Sequence, residues 1–219
     1  MRWIYIAAGI AFYVKMLLLS NPAPTLPFSI VDVIVEDSGV PNAVSGIILH
    51  NRLYDTIFEV IVFTIAILGA NFLLANEQPL SQVRQFTDSS SIILARLGAT
   101  MAALVGIELA IRGHLSPGGG FAAGVAGGTA IGLVAMTSSP EAMQRIYQRW
   151  HAAIWEKVSV LVFIALSVMT LAGFELPVGE LGTLFSGGMI PILNILVAVK
   201  VALGSWAVVL IFIKYRGLL

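Results

Sequence analysis

Six runs of predominantly apolar residues, at about 3–20, 53–75, 91–112, 120–138, 156–174 and 188–213, set the terms for this chain. A helix needs about 20 such residues to cross the hydrocarbon layer. In lipid the backbone must satisfy its own polar groups, which a helix does within one segment. The expected fold is therefore all-α, a polytopic membrane protein with about six transmembrane helices. Composition agrees: 58% of the 219 residues are hydrophobic and only 11% are charged, where a soluble domain carries roughly a quarter charged. The first run starts "MRWIYIAAGIAFYVK" and imitates a secretion signal, but Lys15 inside its apolar stretch is wrong for one, so it is read as a retained helix.

Several function classes drop out at once. Zero net charge leaves no basic face for nucleic acid. The absence of cysteine removes disulfides, thiolate-held zinc and thiol catalysis. The three histidines, His50, His114 and His151, stand far apart with no metal-ligand spacing. No nucleotide, quinone, flavin or iron–sulfur motif is visible, so no cofactor and no catalytic residue is expected. Lysines and arginines at span ends favour the cytoplasm. Under six spans Arg2, Arg84, Arg145, Arg149, Lys157, Lys214 and Arg216 fall on one side, which predicts both termini inside. The opposite side holds an acidic loop over residues 21–50, whose alternating "FSIVDVIV" reads as a short strand or an interfacial segment.

Ionisable residues within spans are costly and mark ion routes or buried pairs. Asp55 and Glu59 are four apart and share a helix face, where two carboxylates hinder each other's ionisation, as suits a proton carrier. For Asp55 a helix cap or a headgroup contact is the alternative, whereas Glu59 lies about 9 Å further in. Glu108 and Arg112 have the spacing of an ion pair, either fixing a helix end or lining an ion path. Arg96 sits about 120° around the same helix and snorkels to the cytoplasmic edge. Lys200 is near the middle of the last span, so it either pairs with a carboxylate of a neighbouring helix or protein chain, or is a switchable site. On the topology map Lys15, Asp55, Glu59, Glu108, Arg112 and His114 all fall in the outer half, which predicts one polar cluster at an ion entrance.

The junction "RGHLSPGGGF" puts Arg112, His114, Pro117, Gly118, Gly119 and Gly120 between two spans. Gly120, Gly124, Gly128 and Gly132 then recur every four residues, a small-residue ridge of the kind that lets helix backbones touch in lipid. No Gly-Lys-Ser/Thr follows, so this is not a phosphate-binding loop.

The stretch "GHLSPGGGF", together with "GTLFSGGMIPILNILVAVKVALG", resembles the MnhB component of Mrp-type multisubunit Na+/H+ antiporters, over residues 85–219. The front part, with "NRLYDTIFEVIVFTIAILGANFLL", resembles the C-terminal tail of the largest component of the same antiporters. In membrane-bound hydrogenases and sulfane reductases the same piece forms a separate small protein. The resemblance implies two parts, 1–80 and 85–219, joined in one chain. It implies a non-catalytic component of a cell-membrane complex that exchanges Na+ for H+, with other membrane subunits and the bilayer as partners. The alternatives are the same module in a respiratory hydrogenase or sulfane reductase complex, and a purely structural membrane scaffold. It places Asp55 and Glu59 near an ion route between large and small components, and His114, Pro117 and the glycines in a signature loop. For Lys200 it implies little, because other polar residues stand there in the family.

Overall fold

A computed structural model describes residues 2–18, 29–80, 83 and 85–217, and among these every regular element is helical. Two units are distinguished. Residues 1–30 hold α1, Arg2–Leu18, an apolar helix of 17 residues, about 25 Å long, with Lys15 exposed in its last turn. Residues 31–219 hold the rest. Five helices there are long and apolar enough to span a membrane: α4 (Leu53–Leu74), α5 (Ser89–Arg112), α6 (Gly119–Met136), α8 (Ala152–Leu171) and α9 (Ile190–Arg216). They match five of the six expected spans, and α1 falls just short of that length. Arg84 and residues 21–28 of the acidic loop lie outside the described residues.

Where a strand or an interfacial segment was expected, residues 30–35 are helical, as part of α2 (Ile30–Ser38). Further on, α3 (Ala43–Gly46) and a π-helical turn over Ile47–Asn51 lead into α4. Short polar residues start α3 and two later helices. Asn42 accepts hydrogen bonds from the amides of Val44 and Ser45, and Asp88 from Ser91 at the start of α5. Ser139 caps the amphipathic α7 (Pro140–Arg149), whose proline occupies the first turn. His151, at φ 49°, breaks α7 from α8.

Helix α9 is the centre of the bundle, packed by α6, α8, α4 and α5. Leu193, Val197 and Val201 on it meet Val60 of α4 and Val160 and Phe163 of α8 in the main apolar core. The glycine ridge explains the α6–α9 contact. A β-carbon at Gly120 would run into Val197 and the Asn194 carbonyl, one at Gly124 into Val201 and the Ala198 carbonyl, and one at Gly128 into Ser205. Four residues on α6 advance with four on α9, so the two helices run parallel at backbone contact. Gly132 leaves the ridge and faces open space, while Gly106 of α5 meets the Ala123 carbonyl from the other side of α6. Helix α4, which the resemblance groups with the first part of the chain, packs on α8 and α9.

Candidate functional site

The deepest charge is Lys200, eleventh residue of α9 and fully buried. Its Nζ lies 3.5 Å from Oε1 of Glu156 and 4.0 Å from the centre of the Phe63 ring. Gly204, one turn further along α9, makes the space: a β-carbon there would stand 2.9 Å from Phe63 and 3.6 Å from the ammonium. Glu156 comes from the first turns of α8 and is itself 9% exposed at the side chain. Neither charged atom makes a hydrogen bond to another described residue. A buried ion pair held by one contact at this length is weakly compensated for its desolvation.

Glu156 also lines a cleft of about 350 Å³ between α4, α7, α8 and α9, with Asn71, Gln144, Tyr147 and Lys214 among its walls. Burial, and then the negative charge of Glu156, push the Tyr147 phenol up from its ordinary value. Lys200 does not line the cleft. The cleft thus reaches the carboxylate of the pair from the side of α7.

At the opposite end the signature loop is tied down rather than open. The Asn42 amide donates to the carbonyls of Gly113 and Ser116, both at 2.8 Å, and the Ser45 hydroxyl donates to Gly113 at 2.7 Å. From below, Asn194 of α9 donates to the carbonyls of Leu109 and Ala110 at the end of α5. His114 is fully buried in this knot, with the Thr183 and Leu184 backbone beside its ring. Burial lowers its pKa, opposed by backbone groups at Thr183 and Leu184. Gly118 and Gly119, at φ 143° and 74°, adopt backbone that side chains disfavour, and so turn the chain into α6.

The remaining expected residues separate into sets. Asp55 pairs with Arg52 one turn back, at the start of α4, and no side chain caps that helix. Glu59 is exposed on α4 and has no ion pair among the described residues. Glu108 and Arg112 pair at 3.3 Å on the exposed face of α5, and Pro117 is exposed beside them in sequence. Among the described residues of 31–219, no ion pair joins members of the expected outer cluster across helices. Helix α4 packs on α8 and α9, helix α5 chiefly on α6, and among the described residues no ion pair joins α4 to α5.

Residues 91–207 match a family described as a domain related to the MnhB subunit of Na+/H+ antiporter. This chain belongs to that family. Among curated proteins nothing matches it. Two solved structures are similar to it. One is a chain of an archaeal respiratory membrane complex, the membrane-bound sulfane sulfur reductase, at 25% identity over 96% of both chains with a TM-score of 0.75. The other is a chain of the Mrp complex from Dietzia sp. DQ12-45-1b, at 18% identity and a TM-score of 0.66. There 98% of this chain corresponds to 26% of the longer one, a likeness of fold.

Glu156, Lys200, His114 and the glycine ridge all lie within the MnhB-related segment, whereas Asn42, Asp55, Glu59 and Phe63 precede it. Sequence reading missed Glu156. In "WEKVSV" it stands beside Lys157 at the edge of an apolar run, and it passes for a headgroup residue until α8 is seen to begin at Ala152. The available signal was Lys200 itself, for which a carboxylate partner was one of the two readings. Asn42 and Asn194 were missed because each acts through backbone carbonyls distant in sequence.

Proposed function

We propose that this chain is a non-catalytic membrane component of a multisubunit Na+/H+ antiporter, and that Lys200 and Glu156 are its proton-responsive element. The observation that carries the reading is a buried, sparsely hydrogen-bonded ion pair whose carboxylate forms the wall of a cleft. A proton arriving through the cleft neutralises Glu156 and leaves the Lys200 ammonium uncompensated. Breaking such a pair from one side costs about 3–5 kcal/mol, enough to drive the lysine's proton, or a rearrangement of α4, α8 and α9, in one direction. Phe63, which touches the ammonium, stands one turn beyond Glu59 on the same helix. The reading makes exposed Glu59, with Asp55 at the helix start, the contact for the exchanged cation at a neighbouring chain of the complex. Glu108 is met by Arg112 and His114 is sealed in the loop knot, so both are assigned to holding the outer end of the bundle. Lys15 carries no role in this scheme. The chain itself needs no cofactor, Na+ and H+ being cargo, and it works in a prokaryotic cell membrane with both termini inside.

Everted membrane vesicles holding the whole complex test the proposal through Na+-induced dissipation of a pH gradient, read with a pH-sensitive dye. Lys200→Met and Glu156→Gln should abolish the response while the complex still assembles on gel filtration. Unchanged exchange in both variants overturns it. A second reading is favoured by the end-to-end match to the sulfane sulfur reductase chain: the same module serving a redox-driven complex. Iron content and partner peptides in the purified complex distinguish the two.

A further inference from the structure

The membrane face that carries α7 combines charge and shape in a way the ion pair does not use. Helix α7 turns Met143 inward and leaves Arg145, Ile146 and Arg149 exposed, with Trp150 exposed just after it. Such an amphipathic helix, basic on its polar face and flanked by tryptophan, lies in the headgroup layer. Two hollows meet at Ile146. The first is an open depression along α7 itself, with Arg145, Gln148 and Arg149 in its wall. The second, about 550 Å³, is an apolar groove lined by α5, α6, α7 and α9, where Ala103, Ile131 and Val134 form part of the wall and Arg96 and Thr100 also face it.

The charges stand out by their lack of partners. Arg52, Arg112 and Arg216 each have a carboxylate within ion-pair distance. Arg96, Arg145 and Arg149 have none among the described residues, although Glu141 stands one turn before Arg145 on the same helix. Three unpaired guanidinium groups beside an apolar groove call for an anion with a hydrocarbon tail. We propose that the two hollows together bind one anionic phospholipid. Its phosphate lies against Arg145 and Arg149, where planar donor forks match phosphate oxygens, and an acyl chain runs down the groove past Arg96. An acidic segment of a partner protein would use the charges but not the groove, and a partner helix would use the groove but not the charges. This proposal is independent of the ion-exchange reading, and loss of transport with lipid binding intact would touch only the latter.

The test uses the intact complex, delipidated in mild detergent, titrated with phosphatidylglycerol and separately with phosphatidylcholine, and followed by native mass spectrometry. Phosphatidylglycerol should be retained and phosphatidylcholine not. Near a membrane surface each basic residue is worth about fivefold in affinity for anionic lipid, so Arg145→Gln with Arg149→Gln should weaken binding roughly thirtyfold. Thr100→Trp fills the groove without altering a charge and should also lower retention, with the complex still intact on gel filtration. Equal binding of the two lipids overturns the proposal. So does undiminished phosphatidylglycerol binding in the double arginine variant, or a photocrosslinker at position 100 that captures a partner protein instead of lipid.

Discussion

Replacing Glu156 with glutamine removes one charge from a pair in which Lys200 is fully buried and the carboxylate almost so. Because so little solvent reaches the ammonium, its Coulombic partner is not replaced by water. Removing one member of such a pair costs about 3–5 kcal/mol, roughly a hundred- to several-thousandfold in the unfolding equilibrium. For a chain of this size each kcal/mol moves the thermal midpoint by about 2–4 °C, so the variant should melt about 6–20 °C lower. The Phe63 ring, 4.0 Å away, offsets only a small part of this. Replacing both partners, with Glu156→Leu and Lys200→Met, removes the uncompensated charge and should bring stability back to the original or above it. Exchange activity should stay absent in that double variant. The assay is thermal unfolding of the purified complex in parallel with vesicle transport. A single variant that melts like the original would refute the reasoning, because it would mean that the pair carries no net charge to strand. A double variant that also transports would leave the pair purely structural.

The glycine ridge makes a sharper contrast. Gly124→Val should prevent α6 from seating on α9 and sharply reduce the yield of assembled complex, since its β-carbon would lie within 2.8 Å of the Ala198 carbonyl. Gly132→Ala meets open space and should be neutral or raise stability by up to about 1 kcal/mol through helix propensity, as thermal melts would register. His114 supplies a pH dependence. Its folded pKa lies below the unfolded value of about 6.5, so the unfolded chain binds the extra proton first. Its contribution is complete above that value and is lost as pH falls below it towards the folded pKa. Melting curves at pH values of about 7.5 and 5.5, either side of the unfolded value, should show a smaller drop for His114→Gln than for the original. An equal drop would place the imidazole in contact with water.

Much of the fold was legible because lipid imposes one-dimensional rules. Apolar length alone located five of the spans, with boundaries close to those of α4, α5, α6, α8 and α9. Spacing alone gave the Glu108–Arg112 pair and three of the four ridge glycines, since residues four apart share a helix face whatever surrounds the helix. The helical nature of Ile30–Ser38 was hidden because an alternating apolar pattern over so short a run fits a strand as well as a helix.

Depth in the membrane, by contrast, does not say which helices are neighbours. Asp55, Glu59, Glu108 and His114 were expected at one level, yet Asp55 pairs with Arg52 and Glu108 with Arg112, while Glu59 and His114 meet no ion-pair partner among the described residues. From sequence Lys200 called for either a carboxylate partner or a switchable role, while its meeting with Glu156 depended on α8 lying against α9 with Gly204 opening room beside Phe63. The sequence by itself thus determined where the chain crosses the bilayer and which charges are expensive there, because both follow from transfer into hydrocarbon. Only the tertiary structure decided which charges meet, because ion pairing depends on a few ångströms across helices, and no periodicity along the chain encodes that distance.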